Sequence, residues 1–203
     1  MEIITYIVHG SLTHQDSMGS KESLGRGSIQ FMTAGTGVQH SEFNHSDESP
    51  LRFIQTWIMP RARGLAPNYG SYDSHSSKDV CESKKNEVQY LASDVKNNSV
   101  DTPVKVNQDV NTYAAELELD SSVDVELPKG RQAYLLCVEG SLELNDGTTL
   151  NKYDGAEIHA DDDGTPIEIK ATGVEETENG KVAHFLMFGM EEDGSGRTDL
   201  QPQ

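Results

Sequence analysis

The 203-residue sequence is poor in cysteine, in aromatic residues and in positive charge. Its two cysteines, Cys81 and Cys137, stand far apart and no CxxC is present, which excludes a disulfide framework. A reducing intracellular compartment is therefore the default, cytoplasmic in the first instance. No run of about 18 apolar residues occurs, which excludes a membrane-spanning helix. The opening MEIITYIVHG has no basic segment and carries Glu2, so it does not read as a secretory signal. Against 34 Asp+Glu stand 16 Lys+Arg, a formal net charge of −18. That charge repels phosphate backbones, so no direct nucleic-acid partner and no membrane partner is expected. Helical periodicity is scarce as well.

What is present is a series of short apolar segments rich in Val, Ile, Tyr and Phe, separated by Gly, Asn, Asp and Ser, which is the pattern of strands joined by turns. The first group comprises IITYIVHG (Ile3 to Gly10), SLTHQDS, GSIQFMTAGTG and LRFIQTWIMP (Leu51 to Pro60). The second comprises TYAAELELD (Thr112 to Asp120), SVDVELP, QAYLLCVEG, SLELNDG, GAEIHADD, PIEIKATG and AHFLMFGM. Strict alternation in SVDVEL and SLELND predicts strands with one wet face. Turn signals every 8–12 residues predict an all-β sandwich or barrel architecture. Between the groups, the polar stretch from Arg61 to about Val110 reads as a connection with one short helix around Asp79–Asn86. The tail from Glu191 to Gln203 has no apolar periodicity and is expected to be disordered.

A weak repeat is visible once Gly10 and Gly140 are aligned. In both places an apolar strand meets a glycine turn and then an alternating polar strand. A second glycine, Gly27 or Gly155, follows some 15–17 residues later. Two copies of one small β-barrel account for this.

The densest chemical signal is GSIQFMTAGTGVQHSEFN, Gly27 to Asn44. It sets His40 and Glu42 at i and i+2, which on a strand share a face. A neutral imidazole and a carboxylate on one face suit a divalent metal such as Fe, Mn, Ni or Cu. Gly35 and Gly37 supply a tight turn just before that strand. By itself a His-x-Glu pair is weak, since a surface or core histidine is the commoner reading.

The spacing G-x-G-x-x-H-x-x-x-N, from Gly35 through His40 to Asn44, resembles the second motif of the cupins, with Gly35 in the place of the usual proline. HxDSMG, QxMTAGxGxxHSE and QxWIMP together closely resemble the pirin family, bicupins that include quercetin 2,3-dioxygenase-like proteins. The likeness is strong over residues 1–72 and looser beyond. It implies an all-β bicupin of two jelly-roll barrels. The expected divisions are a first cupin domain over 1–65, truncated at its start, a linker over 66–108, a metal-free second cupin domain over 109–190 and the tail over 191–203. It also implies one divalent transition metal, Fe foremost, with Ni, Cu, Mn and Zn as alternatives, held in the first barrel by three histidines and a glutamate. His40 and Glu42 match the second ligand pair. The first, an H-x-H upstream of the M-E-I-x-T-Y segment, has no match, because the sequence begins inside that segment. A chain that starts within a longer protein is the expected reading of this departure; a natively short protein is the other.

The remaining histidines are read more plainly. His14 sits in HxDSMG, a segment the family does not use for ligation. It is expected to be a hydrogen-bonded or surface residue, with a position facing the barrel interior as the alternative. His9 flanks the same turn, and His45 and His75 fall in polar loops. Glu2 matches the first cupin motif's glutamate, which pirins keep without using it as a ligand. In LRFIQTWIMP, Phe53, Gln55 and Trp57 alternate with Arg52, Ile54 and Thr56; a core strand is the expected reading, with one face lining the pocket as the alternative, and packing is expected for Phe31 and Met32. The resemblance implies a flavonol-type aromatic substrate and O₂, with Glu42 as both ligand and base. A non-enzymatic, metal-dependent protein-interaction module, as in nuclear pirins, and an inactive truncated product are the alternatives.

Overall fold

The structure, a computed structural model, describes residues 1–74, 84–97, 99–145, 147–160, 164 and 166–192. Among the described residues it is built from strands and turns with no helix, and hence none long and apolar enough to cross a membrane. In the first half lie β1 (Glu2–His9), β2 (Leu12–Asp16), β3 (Lys21–Leu24), β4 (Ile29–Thr33), β5 (His40–Asn44), β6 (Arg52–Ile58) and β7 (Asn68–Tyr72). They form two sheets, in the orders β6-β1-β4-β7 and β3-β2-β5.

The second half holds β8 (Gln89–Asp94), β9 (Val104–Val106), β10 (Val110–Leu117), β11 (Ser122–Val125), β12 (Arg131–Glu139), β13 (Ser141–Leu144), β14 (Thr149–Asn151), β15 (Gly155–His159), β16 (Ile167–Gly173), β17 (Glu175–Thr177) and β18 (Gly180–Glu191). One sheet runs β15-β12-β18-β10-β8-β9, with β17 paired to β18, and the facing sheet runs β11-β16-β13-β14.

The repeat expected from the glycines is a repeat of topology. Strand β1 lies between β4 and β6 as β12 lies between β15 and β18, and β2 lies between β3 and β5 as β13 lies between β14 and β16. Both central strands end in a bulge, at Ile7/His9 and at Cys137/Glu139. Both then turn through a glycine at positive φ, +77° at Gly10 and +74° at Gly140. A Cβ on Gly10 would stand 2.4 Å from the Pro50 carbonyl oxygen, and one on Gly140 would stand 2.3 Å from that of Gly173. Backbone closes over each turn, so a side chain has no room there. The edges differ. In the second unit β18 and β16 are flanked by β10 and β11, whereas β6 and β5 have no strand beyond them among the described residues.

The segment expected to be a connection carries strands. β7 pairs with β4 and belongs to the first unit, while β8 and β9 extend the large sheet of the second. Leu91, Ala92, Val104 and Val106 are buried there, but so short a set of apolar positions among polar residues conceals the period. Most of the helix expected around residues 79–86 lies outside the described residues; Lys85, within them, forms a bridge to Glu116. Of the expected tail, Glu191 ends β18 and residues 193–203 lie outside the described residues.

Three apolar clusters decide where chemistry has room. The second barrel is filled by Leu117, Leu135, Leu142, Ile169, Phe185 and their neighbours. A second cluster lies between the units, where Ile4, Tyr6, Val8 and Phe31 meet Val104, Ala114, Leu186 and Phe188. The first barrel has only a small apolar end, Ile7, Leu12 and Leu24 with Leu51 against them. Phe31 and Met32 are buried, as expected.

Candidate functional site

The inner face of the first barrel is polar because of how its strands register. Across the larger sheet, Thr5 stands opposite both Gln30 and Gln55. Met32 stands opposite Tyr69. Across the smaller sheet, His14 stands between Glu22 and Glu42, and Asp16 stands opposite His40. Successive residues of a strand point to opposite faces, so His14, Asp16, Glu22, His40 and Glu42 share one. His14-x-Asp16 and His40-x-Glu42 run antiparallel, and each histidine therefore faces the other pair's acid.

His40 and Glu42 do share a face, on β5 immediately after the turn at Gly35 and Gly37, where the Gly37 N–H donates to the Ala34 carbonyl at 2.9 Å. His40 is exposed and Glu42 half-buried. The Glu42 carboxylate accepts from the Gln30 amide on one oxygen and from the Gln55 amide, at 2.9 Å, on the other. Gln55 is held in turn by the Trp57 indole N–H, 2.8 Å from its Oε1. Gln30 Oε1 accepts from the Tyr69 hydroxyl at 3.2 Å, and that hydroxyl also lies 2.5 Å from Glu22 Oε1. Burial first, and then the hydrogen bond to Glu22, push the Tyr69 hydroxyl well above its ordinary pKa, so it stays a donor.

His14 is buried, 1% exposed, and faces the barrel interior. Its ring stacks on Tyr69 at 4.2 Å and on His40 at 5.8 Å between centroids. Nε2 lies 3.2 Å from Asp16 Oδ2, and Nδ1 is buried without a partner. A carboxylate can only accept, so Nε2 carries the hydrogen of this contact. Asp16 is fixed on its other oxygen by the Met18 and Ser20 N–H groups. Its burial raises its pKa, but these hydrogen bonds and the one to His14 outweigh that and hold it below the ordinary value.

β6 is a core strand on one face only: Ile58 is buried and Ile54 packs in the layer between the units, whereas Trp57 is 63% exposed and Phe53 39%, because nothing covers that edge of the sheet among the described residues. Glu2 is fully buried on the opposite face, where it accepts from Thr33 and from Asn107. His9 pairs with Glu178 at 2.5 Å, and His45 lies 2.9 Å from the Thr13 hydroxyl. His75 lies outside the described residues. Burial pushes the Cys137 thiol up to about 12, which removes it as a nucleophile.

Imidazole and carboxylate are the donors that a borderline divalent ion takes, and an unpartnered buried imidazole nitrogen beside them adds a third of the same kind. The donor chemistry thus fits a transition metal. Among the described residues, however, no three His, Cys, Asp or Glu side chains are drawn together around one point. Gln30, Tyr69 and Asp16 were given no role by sequence reasoning, and Gln55 was placed only on a strand face that could line the pocket. The signal for the glutamines was a polar residue inside an apolar strand. For Asp16 it was the same i, i+2 spacing that marks His40 and Glu42.

Family models match in two places: Pirin over residues 1–58, and the quercetinase C-terminal cupin domain over residues 91–188. The chain is 34% identical over 172 residues to the quercetin 2,3-dioxygenase of Escherichia coli K12, covering 80% of this chain and 69% of that one. It is 36% identical over 162 residues to a pirin-like protein of Caulobacter vibrioides, covering 78% and 64%. Among solved structures, YhhW from Escherichia coli superposes with a TM-score of 0.75 at 29% identity, over 96% of this chain and 74% of that one. The bacterial pirin YhhW in complex with nickel(II) gives 0.73 at 30%, over 95% and 73%.

Proposed function

The chain belongs to the pirin family, and from that premise we propose that it is a metal-dependent dioxygenase of the quercetin 2,3-dioxygenase type, acting on a flavonol-like aromatic substrate with O₂. In this reading His40 and Glu42 are metal ligands and Glu42 is also the base. The observation that carries it is the contrast between the two barrels. The second is packed with Leu, Ile and Phe, whereas one face of the first carries two histidines, three acids and two glutamines. Buried polar groups cost stability unless they are used or paired, so a barrel that forgoes an apolar core in this way points to a site.

When bound, a divalent transition metal supplies a Lewis-acid contact for the substrate's adjacent hydroxyl and keto oxygens. The protein's own groups do the rest. Gln30 and Gln55 hold the Glu42 carboxylate from both sides, and release of either amide leaves an oxygen free to take the proton of the substrate's 3-hydroxyl. The exposed Trp57 indole, anchored through Gln55, offers a flat face to an aromatic ring.

The test is quercetin absorbance under air with protein loaded separately with Fe, Ni, Cu or Mn. Loss of the flavonol band is expected, and Glu42→Gln should slow it by about 10²-fold or more, the usual contribution of a positioned base. An unchanged spectrum with all four metals rejects the dioxygenase reading.

A further inference from the structure

We propose that the pocket between the two units, beside Lys84 and Lys85, binds a small tetrahedral dianion, a phosphate group either free or at the head of a monoester. The site shares no residue with the inner face of the first barrel and is independent of the metal and of the dioxygenase reading. Three observations carry it. The first is charge. Lys84, Lys85 and Arg26 line this pocket, and Glu116 is the one acid that faces them among its described lining residues. In a chain of net charge −18 that excess of positive charge runs against the whole, and a concave surface of one sign focuses its field on an ion of the other.

The second is which of these groups are already committed. Glu116 accepts from Arg26 Nε at 2.8 Å on one oxygen and from Asn179 Nδ2 at 2.9 Å on the other. The rest of the Arg26 guanidinium goes to Glu139 and to the Val8 carbonyl. The two lysines therefore carry the surplus. Lys84 donates to the Tyr72 hydroxyl and lies 4.7 Å from the centre of that ring, contacts that orient the ammonium without neutralising it. Lys85 is half-buried, and its ammonium has no hydrogen bond or ion pair among the described residues. A charge drawn partly out of water without a partner calls for a counter-ion.

The third is the setting. Lys85 is held at its backbone by the bridge to Glu116, and the Asn86 N–H donates to the Glu116 carbonyl at 2.9 Å. Gly180 beside it has no side chain, and a Cβ there would stand 3.6 Å from the Lys85 ammonium. The facing wall belongs to the first unit, where Ser74, just beyond β7, donates to the Arg26 carbonyl at 2.6 Å. The volume is about 30 Å³, room for one small ion and too little for an aromatic molecule. An ion held there touches both units, so its binding stabilises the folded chain.

The experiment is calorimetric titration of the full chain with inorganic phosphate and, separately, with glycerol phosphate, at an ionic strength fixed with chloride. Thermal melts under the same conditions run beside it. Lys85→Met and Lys84→Met keep most of the stem and remove the charge, Lys85→Arg keeps the charge, and Lys21→Met, on the exposed edge of β3, is the control. The expected result is one phosphate per chain and a melting temperature that rises with phosphate beyond the chloride blank. Lys85→Met should weaken Kd at least about tenfold, the worth of one charge-assisted contact, while Lys85→Arg and Lys21→Met bind like the wild type. Binding of the ester as well as the free ion makes this a headgroup site, and binding of inorganic phosphate alone makes it an ion site. No saturable heat with either ligand overturns the proposal, as does undiminished binding when Lys84 and Lys85 are both replaced by Met. An equal loss in Lys21→Met overturns it too, since general charge screening would then be the cause. The quercetin assay is unaffected by any of these outcomes.

Discussion

At the scale of single residues, the first barrel's chemistry depends on side chains that hold other side chains. Glu42 would swing freely on an edge strand if Gln30 and Gln55 did not grip both of its oxygens, and Gln55 is itself anchored by Trp57 and by Thr5 at 3.2 Å. Gln55→Leu keeps the volume and removes that grip. On the proposed role of Glu42 as base, it is expected to lower kcat for quercetin several-fold with little change in KM, since a base out of position costs rate more than binding. Steady-state kinetics on the metal-loaded variant check this. A rise in KM with kcat intact would instead make Gln55 a substrate contact. The glutamines, like Asp16, were readable only in part. A polar residue within GSIQFM or RFIQTWI marks a position that is not core, but nothing in one strand says that its amide meets a carboxylate two strands away.

At the scale of elements, the unit that recurs is a bulged strand, a glycine turn and a polar strand. Its faint sequence trace, Gly10 against Gly140, marks two matching turns over which backbone closes tightly. Alanine at either position meets a positive φ and a carbonyl oxygen nearer than 2.5 Å. Each substitution is expected to cost about 1–3 kcal/mol or more. Gly140→Ala should lower the chemical denaturation midpoint strongly, because its turn closes a fully packed barrel. A variant as stable as the wild type would mean that the turn is not under this constraint. The expected bland core strand at LRFIQTWIMP shows the converse limit. Its alternation was legible, but which face is covered depends on what lies beyond β6, and that is not written in the strand.

At the scale of the molecule, the two barrels are joined by an apolar layer and by a buried ionic cluster that sequence reading did not foresee. Arg26 is 1% exposed; it donates to Glu116 at 2.8 Å, to Glu139 at 2.5 Å and to the Val8 carbonyl. Glu139 also takes the Arg52 guanidinium and the His184 ring, and His184 lies 2.9 Å from the Tyr6 hydroxyl. Five strands and the Arg26 turn thus meet in one network. Burial by itself raises the pKa of Glu139, and the hydrogen bonds from His184 and Arg26 more than reverse it, so the carboxyl sits well below its ordinary range. A carboxyl with a depressed folded pKa contributes stability in full above its unfolded value, about 4.3, and that contribution is lost as pH falls through the folded value. Stability should therefore decline with acid below about pH 4, and Glu139→Gln should flatten this limb. The same variant should cost about 3–5 kcal/mol at neutral pH, since it leaves Arg26 buried and short of charge. Urea denaturation across pH 3–7 measures both, and a variant with an unaltered acid limb would remove Glu139 from the account.

What the sequence by itself determined is set by local rules. Gly, Asn and Asp between β-branched runs specify strands and turns; two glycines at matched spacing specify a duplicated hairpin; the i, i+2 spacing of His40 and Glu42 specifies a shared face. These follow from the chain's own geometry over a few residues. What only the tertiary structure decided depends on register between strands distant in sequence. That includes which barrel is filled with apolar side chains, that His14-x-Asp16 runs against His40-x-Glu42, that two glutamines hold Glu42, and that Arg26 finds Glu116 and Glu139 some 90 and 113 residues away. A shift of one residue in any pairing would turn those side chains to the other face. Such partners are chosen by the packing of whole sheets, and no short stretch of chain contains that information.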